Sequence, residues 1–132
     1  MSERVAVVGS RAHPNLYMVR EYVRSLPRDT VIVSGGAKGV DTTAEEEAIS
    51  LGMEGLIFTP GDVLLHAPRA LRALPPRDLL IARNTLIAVA CTRMVVFPDG
   101  SRGGSFDSVA QAKRFRRPCE IRWADGRVEV AK

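Results

Sequence analysis

Three glycine-containing loops, each with one cation, are the segments of this sequence best suited to chemistry. Each loop follows an apolar run and precedes a segment of helical periodicity. Glycine permits positive φ and lets a ligand approach the backbone, and amide groups at a helix N-terminus bind anions. The loops therefore predict a phosphate site, although tight strand-to-helix turns also use glycine for steric reasons alone. They are Gly9-Ser10-Arg11, Gly35-Gly36-Ala37-Lys38-Gly39 and Gly100-Ser101-Arg102-Gly103-Gly104-Ser105.

Polar residues outside these loops are further candidates for the site. Arg83 and Asn84 interrupt an apolar helical segment, where polar side chains usually have partners. One interpretation is that Arg83 holds a phosphate in a bidentate fork while Asn84 fixes a loop or a ribose. The alternative is a surface Arg83 paired with Asp78 or a neighbouring carboxylate. Asp41 is expected to cap its helix and order the second loop first, and to contact a ligand second.

The histidines and the remaining carboxylates are weaker candidates for the site. His13 and His66 each stand alone in a loop-like context, so we expect both on the surface. The run Glu45-Glu46-Glu47 is expected to form a solvated helix face with one member near the site. No metal-ligand cluster is visible, and no cofactor is expected.

The loops need a scaffold that brings them together. Apolar runs predict strands at 4–8, 30–34, 56–59, 93–97 and 119–123, and helical periodicity predicts helices at about 14–26, 40–50, 77–90 and 105–115. Residues 60–76, which contain four prolines, predict a long excursion with a short helix. A turn at Asp125-Gly126 is expected to return the tail as a hairpin or edge strand.

This alternation predicts an α/β fold with helices on both faces of a sheet. We expect a Rossmann-like, doubly wound, mainly parallel five-stranded sheet in the order 3-2-1-4-5. In that order the three loops lie side by side at the carboxyl ends of the strands, where such sheets bind ligands.

Composition sets the broad class. A chain of 132 residues is expected to be one domain over 1–132. Its apolar runs are too short for a bilayer and its start lacks a signal-peptide pattern, so we expect a cytoplasmic protein with no membrane partner. Cys91 and Cys119 lack zinc spacing and are expected to be buried. The net charge of +4 favours anionic partners. The basic residues at 113–117 either balance a helix dipole or contact nucleic acid.

The motifs resemble those of the SMF/DprA–LOG (SLOG) superfamily over roughly residues 4–122. The order and spacing match from Gly9-Ser10-Arg11 through SGGAKGVDTTA at 34–44 to Arg83-Asn84 and Gly103-Gly104-Ser105. The resemblance implies a Rossmann-like fold whose pocket suits nucleotides. Our main hypothesis is therefore binding of a nucleotide or a phosphorylated nucleotide-derived ligand at the three loops. The resemblance also makes a homodimer or higher homo-oligomer plausible, with residues 64–74 as a candidate contact.

Two alternatives follow from branches of the superfamily. LOG enzymes cleave nucleoside 5′-monophosphates with an arginine and a glutamate, which implies a phosphoribohydrolase with Arg83 and Asp107, or Asp99, as catalytic residues. An aspartate is one methylene shorter than that glutamate, enough to misplace the carboxylate. The DprA branch acts on single-stranded DNA, which implies DNA contacts through Lys38, Arg102 and the 113–117 cluster. Exposed aromatic residues favour such binding, and only Phe106 and Trp123 are candidates.

Overall fold

The computed structural model describes residues 2–60, 76–100 and 104–131. Strands and helices alternate along most of the chain, as the sequence predicts. In chain order the elements are β1 Arg4–Gly9, α1 Tyr17–Ser25, β2 Val31–Ser34, α2 Val40–Ser50, β3 Gly55–Ile57, α3 Pro76–Ala90, β4 Arg93–Phe97, α4 Gly104–Arg114, β5 Cys119–Arg122 and β6 Val128–Val130. None of the helices in these ranges is both long and apolar enough to cross a bilayer.

The strands form one sheet in the order β3-β2-β1-β4-β5-β6. Neighbouring strands from β3 through β5 are parallel, and β6 is antiparallel to β5. The predicted Rossmann-like α/β fold and the predicted order of its five strands are confirmed. The sheet has a sixth strand because the turn at Asp125-Gly126 returns the chain alongside β5.

The central strand β1 is buried on both faces, which explains its continuous apolar run. Val5 and Val7 join a core cluster with residues of α1 and α2 on one face of the sheet. Ala6 and Val8 join a second cluster with residues of α3 and α4 on the other face. Side chains alternate between the faces of a strand, so the helices cover both faces as predicted.

Two predictions for the segment after β1 are wrong. α1 begins at Tyr17 rather than near Pro14, because a turn precedes it in which His13 Nδ1 accepts the Asn15 amide hydrogen at 3.0 Å. His13 is also buried rather than on the surface, and its ring lies edge-on to Phe97 with centroids 6.3 Å apart. Burial lowers its pKa.

Other expectations have mixed outcomes. Cys91 and Cys119 are buried, as predicted. Glu47 is also buried, bonded to Arg20 and Arg24 of α1, so the expectation of a solvated run at 45–47 is wrong for that residue. The predicted excursion, His66 and the candidate contact at 64–74 lie outside the described residues.

Candidate functional site

A cavity of about 360 Å³ opens at the carboxyl ends of β1 and β4. The sequence marked most of its lining as ligand-binding, and it missed Val8, Leu80 and Ser108. Val8 and Leu80 belong to apolar periodic segments, so nothing in the sequence separated them from core residues. The residues that line the cavity are Val8, Gly9, Ser10, Arg11, Ala37, Asp41, Leu80, Arg83, Asn84, Asp99, Ser105 and Ser108.

Two glycines bring the loop backbones into contact. A Cβ on Gly39 would lie 2.6 Å from the carbonyl oxygen of Ser10 and 2.7 Å from that of Arg11, and Gly39 has a φ of 87°. A Cβ on Gly9 would lie within 2.3 Å of the carbonyl oxygen of Phe97. The steric role that the sequence left open for these glycines is therefore real, because they allow the first loop to pack against the second loop and β4.

Asp41 joins the same two loops through its side chain. Its Oδ1 accepts the amide hydrogen of Gly9 at 3.2 Å, and its Oδ2 accepts that of Gly35 at 2.8 Å. Burial raises the pKa of this carboxyl to about 6, although the two amides and Arg83 act in the opposite direction. The helix cap of α2 is Gly39, with no side-chain cap bond. The prediction that Asp41 caps its helix is therefore wrong, whereas it orders the second loop as expected.

Arg83 is an interior residue. Its Nη1 donates to the carbonyl oxygen of Gly35, and its Nε donates to Asn84 Oδ1 at 3.0 Å. Only 7% of the residue is exposed, whereas Asp78 is exposed. The alternative of a surface Arg83 paired with Asp78 is therefore wrong. Burial lowers the pKa of the guanidinium and the nearby Asp41 carboxylate opposes that shift.

Asn84 extends this network to α4. Its Nδ2 donates to Asp107 Oδ2 at 2.9 Å. Asp107 does not belong to the described residues that line the cavity. The assignment of Asp107 and Arg83 as catalytic residues of a phosphoribohydrolase stays a prediction, as does a role for Asp99.

The amides of the first two loops are less able to bind an anion than the sequence suggested. The amide hydrogens of Gly9 and Gly35 go to Asp41, and that of Ser10 goes to the carbonyl oxygen of Phe97 at 3.1 Å. These three donors are satisfied inside the protein. Any anion at this edge must therefore be held mainly by side chains and by other amides.

The mouth of the cavity differs from its interior. Ser10 Oγ donates to Asp99 Oδ2 at 2.7 Å and accepts the Ala12 amide hydrogen at 3.0 Å. Arg11 lines the cavity, and Lys38 directly follows Ala37, which also lines it. Both cations are exposed, and the side chain of neither forms an ion pair or a hydrogen bond with any residue within 2–60, 76–100 and 104–131. These two cations are therefore accessible to an external anion.

The other predicted ligand residues are only partly placed. Gly36 and Gly100 are exposed and have positive φ, and Gly104 begins α4. Ser101, Arg102 and Gly103 lie outside the described residues. Their contacts with a ligand remain predictions.

Comparison with known proteins identifies the family. The family model for DNA recombination-mediator protein A matches residues 1–77. This chain belongs to that family. This membership agrees with the resemblance to the SMF/DprA–LOG superfamily. The DNA processing protein DprA of Streptococcus pneumoniae strain R6 is 30% identical to this chain over 130 residues. That match covers 83% of this chain and 46% of the relative, so the chain spans about half the length of the curated relative it matches.

Two solved structures of DprA proteins have the same fold. The X-ray structure of the Streptococcus pneumoniae protein matches with a TM-score of 0.73 and 26% identity, over 91% of this chain and 50% of that chain. The Helicobacter pylori protein, studied for its single-stranded DNA binding mode, matches with a TM-score of 0.64 and 23% identity, over 90% of this chain and 64% of that chain.

Proposed function

We propose that this chain binds single-stranded DNA and that Arg11 and Lys38 contact its phosphates at the mouth of the cavity. Family membership supports the proposal, as does the single-stranded DNA binding of the Helicobacter pylori relative. Single-stranded DNA binding, the second alternative from the sequence, thus has stronger support than binding of a free nucleotide. The cavity remains part of this proposal, since it has room for one nucleotide of a DNA strand.

The observation that carries the proposal is the difference in pairing among the cations. Arg83 lies beside the carboxylate of Asp41 and donates to backbone and side-chain oxygens, so the charge of the interior is balanced. Arg11 and Lys38 have no carboxylate partner among the described residues. Exposed, unpaired cations on adjacent loops suit the repeated phosphates of a nucleic-acid backbone.

The interior suits a different part of the nucleotide. Val8 and Leu80 give it an apolar wall, whereas Ser105, Ser108 and the buried Asp41 give it polar groups. A carboxylate repels a phosphate but accepts hydrogen bonds from the N–H groups of a base. The proposal therefore places phosphates outside and a base inside.

Fluorescence anisotropy of a labelled oligo(dT) tests the proposal. The double variant Arg11→Gln with Lys38→Gln should lower affinity at least about tenfold at low salt, because both phosphate contacts are lost. The slope of log affinity against log salt should also become shallower by about 1.4, since each phosphate contact on a single strand contributes about 0.7.

A matched control removes two charges elsewhere. Lys113 and Arg116 are exposed near the end of α4, in the cluster that the sequence left open as a DNA contact. Lys113→Gln with Arg116→Gln should change the affinity less than twofold. A larger loss in this control than in the first double variant would overturn the assignment of the phosphates to Arg11 and Lys38.

Two further results would overturn the proposed function itself. One is the absence of oligo(dT) binding by the unmodified protein at low salt. The other is tight binding of nucleoside monophosphates with no binding of oligonucleotides, which would restore the small-ligand hypothesis. Assay of the same mixtures for released base would test the hydrolase prediction.

A further inference from the structure

A second feature at the carboxyl edge of the sheet has the chemistry of a base-stacking surface. Phe106 lies in the first turn of α4, and Trp123 directly follows β5. Their ring centroids are 6.0 Å apart with the planes at 44°. The guanidinium carbon of Arg127 lies 5.2 Å from the centre of the Trp123 ring. We call these three residues the aromatic cluster.

The hairpin between β5 and β6 fixes the cluster. The Trp123 amide donates to the Arg127 carbonyl oxygen at 2.8 Å, and Trp123 Nε1 donates to Glu129 Oε1 at 2.8 Å. Asp125 accepts from the Arg127 amide at 3.0 Å and from Arg127 Nε at 2.8 Å. The indole and the guanidinium are therefore held in place before any ligand arrives, which lowers the entropic cost of binding.

The charges favour stacking over phosphate binding at this cluster. Arg127 is paired with Asp125, so the cation has a neighbouring carboxylate, yet 65% of its side chain is exposed. Phe106 and Trp123 are partly exposed. Partly exposed rings beside a planar guanidinium are the surfaces on which unpaired bases stack in proteins that bind single strands.

The cluster adjoins the cavity through α4. Ser105 lines the cavity and Phe106 is the next residue, so their Cα atoms are about 3.8 Å apart. The aromatic cluster therefore begins at the residue that directly follows the cavity lining. We propose that the aromatic cluster stacks an unpaired base next to the nucleotide in the cavity, a proposal that depends on the proposed binding of single-stranded DNA.

Trp123 is the only tryptophan of the chain, so its emission reports on the cluster without any mutation. Titration with oligo(dT) should quench or shift this emission. An oligonucleotide of equal length with abasic sites keeps the phosphates but has no bases, and it should leave the emission nearly unchanged. Equal changes with both oligonucleotides would overturn the proposal.

A variant tests the energetic contribution. Phe106→Leu keeps an apolar side chain without a ring, and it should weaken binding to oligo(dT) about fivefold or more while leaving binding to the abasic oligonucleotide unchanged. Phe115→Leu is the matched control. Phe115 packs on the core and has the Arg114 guanidinium 5.2 Å from its ring centre, but it follows the far end of α4. Its variant should bind within twofold of the unmodified protein.

The outcomes separate this proposal from the proposed function. If oligo(dT) binding needs Arg11 and Lys38 but the two phenylalanine variants bind alike, the stacking surface is wrong and the proposed function stands. If the unmodified protein does not bind oligo(dT), both fail. If the tryptophan emission changes on dilution without DNA and light scattering shows a dimer, a second copy covers the cluster and the stacking proposal is overturned.

Discussion

The two edges of the sheet use arginine in different ways. At the amino edge, Arg117 donates to the carbonyl oxygens of Ala88 and Val89 at 3.0 and 2.9 Å, and Arg4 donates to that of Ala90. These carbonyls end α3, where the helix dipole is negative. At the carboxyl edge, the exposed Arg11 has no partner among the described residues. The proposed phosphate contact therefore depends on the pairing of the arginines rather than on their number.

Glycines at the two edges differ in the space around them. Replacing them gives the largest expected effect on stability. Gly39, at the carboxyl edge, combines positive φ with close backbone contacts. Gly52, at the amino edge, has a φ of 72°, and a Cβ added there would meet nothing within 4 Å. Gly39→Ala should lower the free energy of unfolding by about 3 kcal/mol or more through strain and overpacking. Gly52→Ala should cost about 1 kcal/mol through strain alone.

Chemical denaturation of both variants measures this difference. Equal costs would show that the contact of the first two loops contributes little to stability. The two edges would then differ in charge but not in the contribution of their glycines to stability.

The buried Asp41 carboxylate at the carboxyl edge should make the free energy of unfolding depend on pH. The folded pKa of Asp41 is about 6 against an ordinary value of 3.8, so its contribution to stability is fully present below about pH 4 and is lost as the pH rises through 6. Asp41→Asn removes this titration. The excess stability of the unmodified protein over the variant should therefore be greater at pH 4 than at pH 7, by up to roughly 3 kcal/mol.

Asp125→Asn is the control for that series. The Arg127 amide and guanidinium lower the pKa of the exposed Asp125, so its contribution is lost as the pH falls and its difference from the unmodified protein should not grow toward pH 4. Urea denaturation at several pH values measures both variants. A constant difference for Asp41→Asn would mean that Asp41 is ionised throughout the range.

The sequence predicted the scaffold better than the contacts at the site. Continuous apolar runs such as that of β1 and the turn at Asp125-Gly126 are local signals, and they were sufficient for the strand order. Asp41 was expected to cap its own helix because capping is also local. Its actual partner Gly9 is 32 residues away, and only the folded sheet brings the two loops together.

Arg83 and His13 show the same limit. The sequence indicated that Arg83 would have a partner, but the Gly35 carbonyl is 48 residues away and no spacing rule specifies it. His13 was expected on the surface because it stands alone in a loop-like context, but it is buried with its ring against that of Phe97. Local pattern therefore predicted which residues lie at the cavity more often than it predicted what they contact.

The smallest expected effect tests the two arginine roles directly. Arg117→Gln should lower the free energy of unfolding by about 1 kcal/mol, because two helix-end carbonyls lose a cationic donor, and DNA affinity should stay within twofold. Arg11→Gln should leave stability unchanged to within about 0.5 kcal/mol and should weaken oligo(dT) binding severalfold. Denaturation and anisotropy of the same preparations measure both quantities. If Arg117→Gln lost affinity without stability, or Arg11→Gln lost stability without affinity, the roles assigned to the two edges would be reversed.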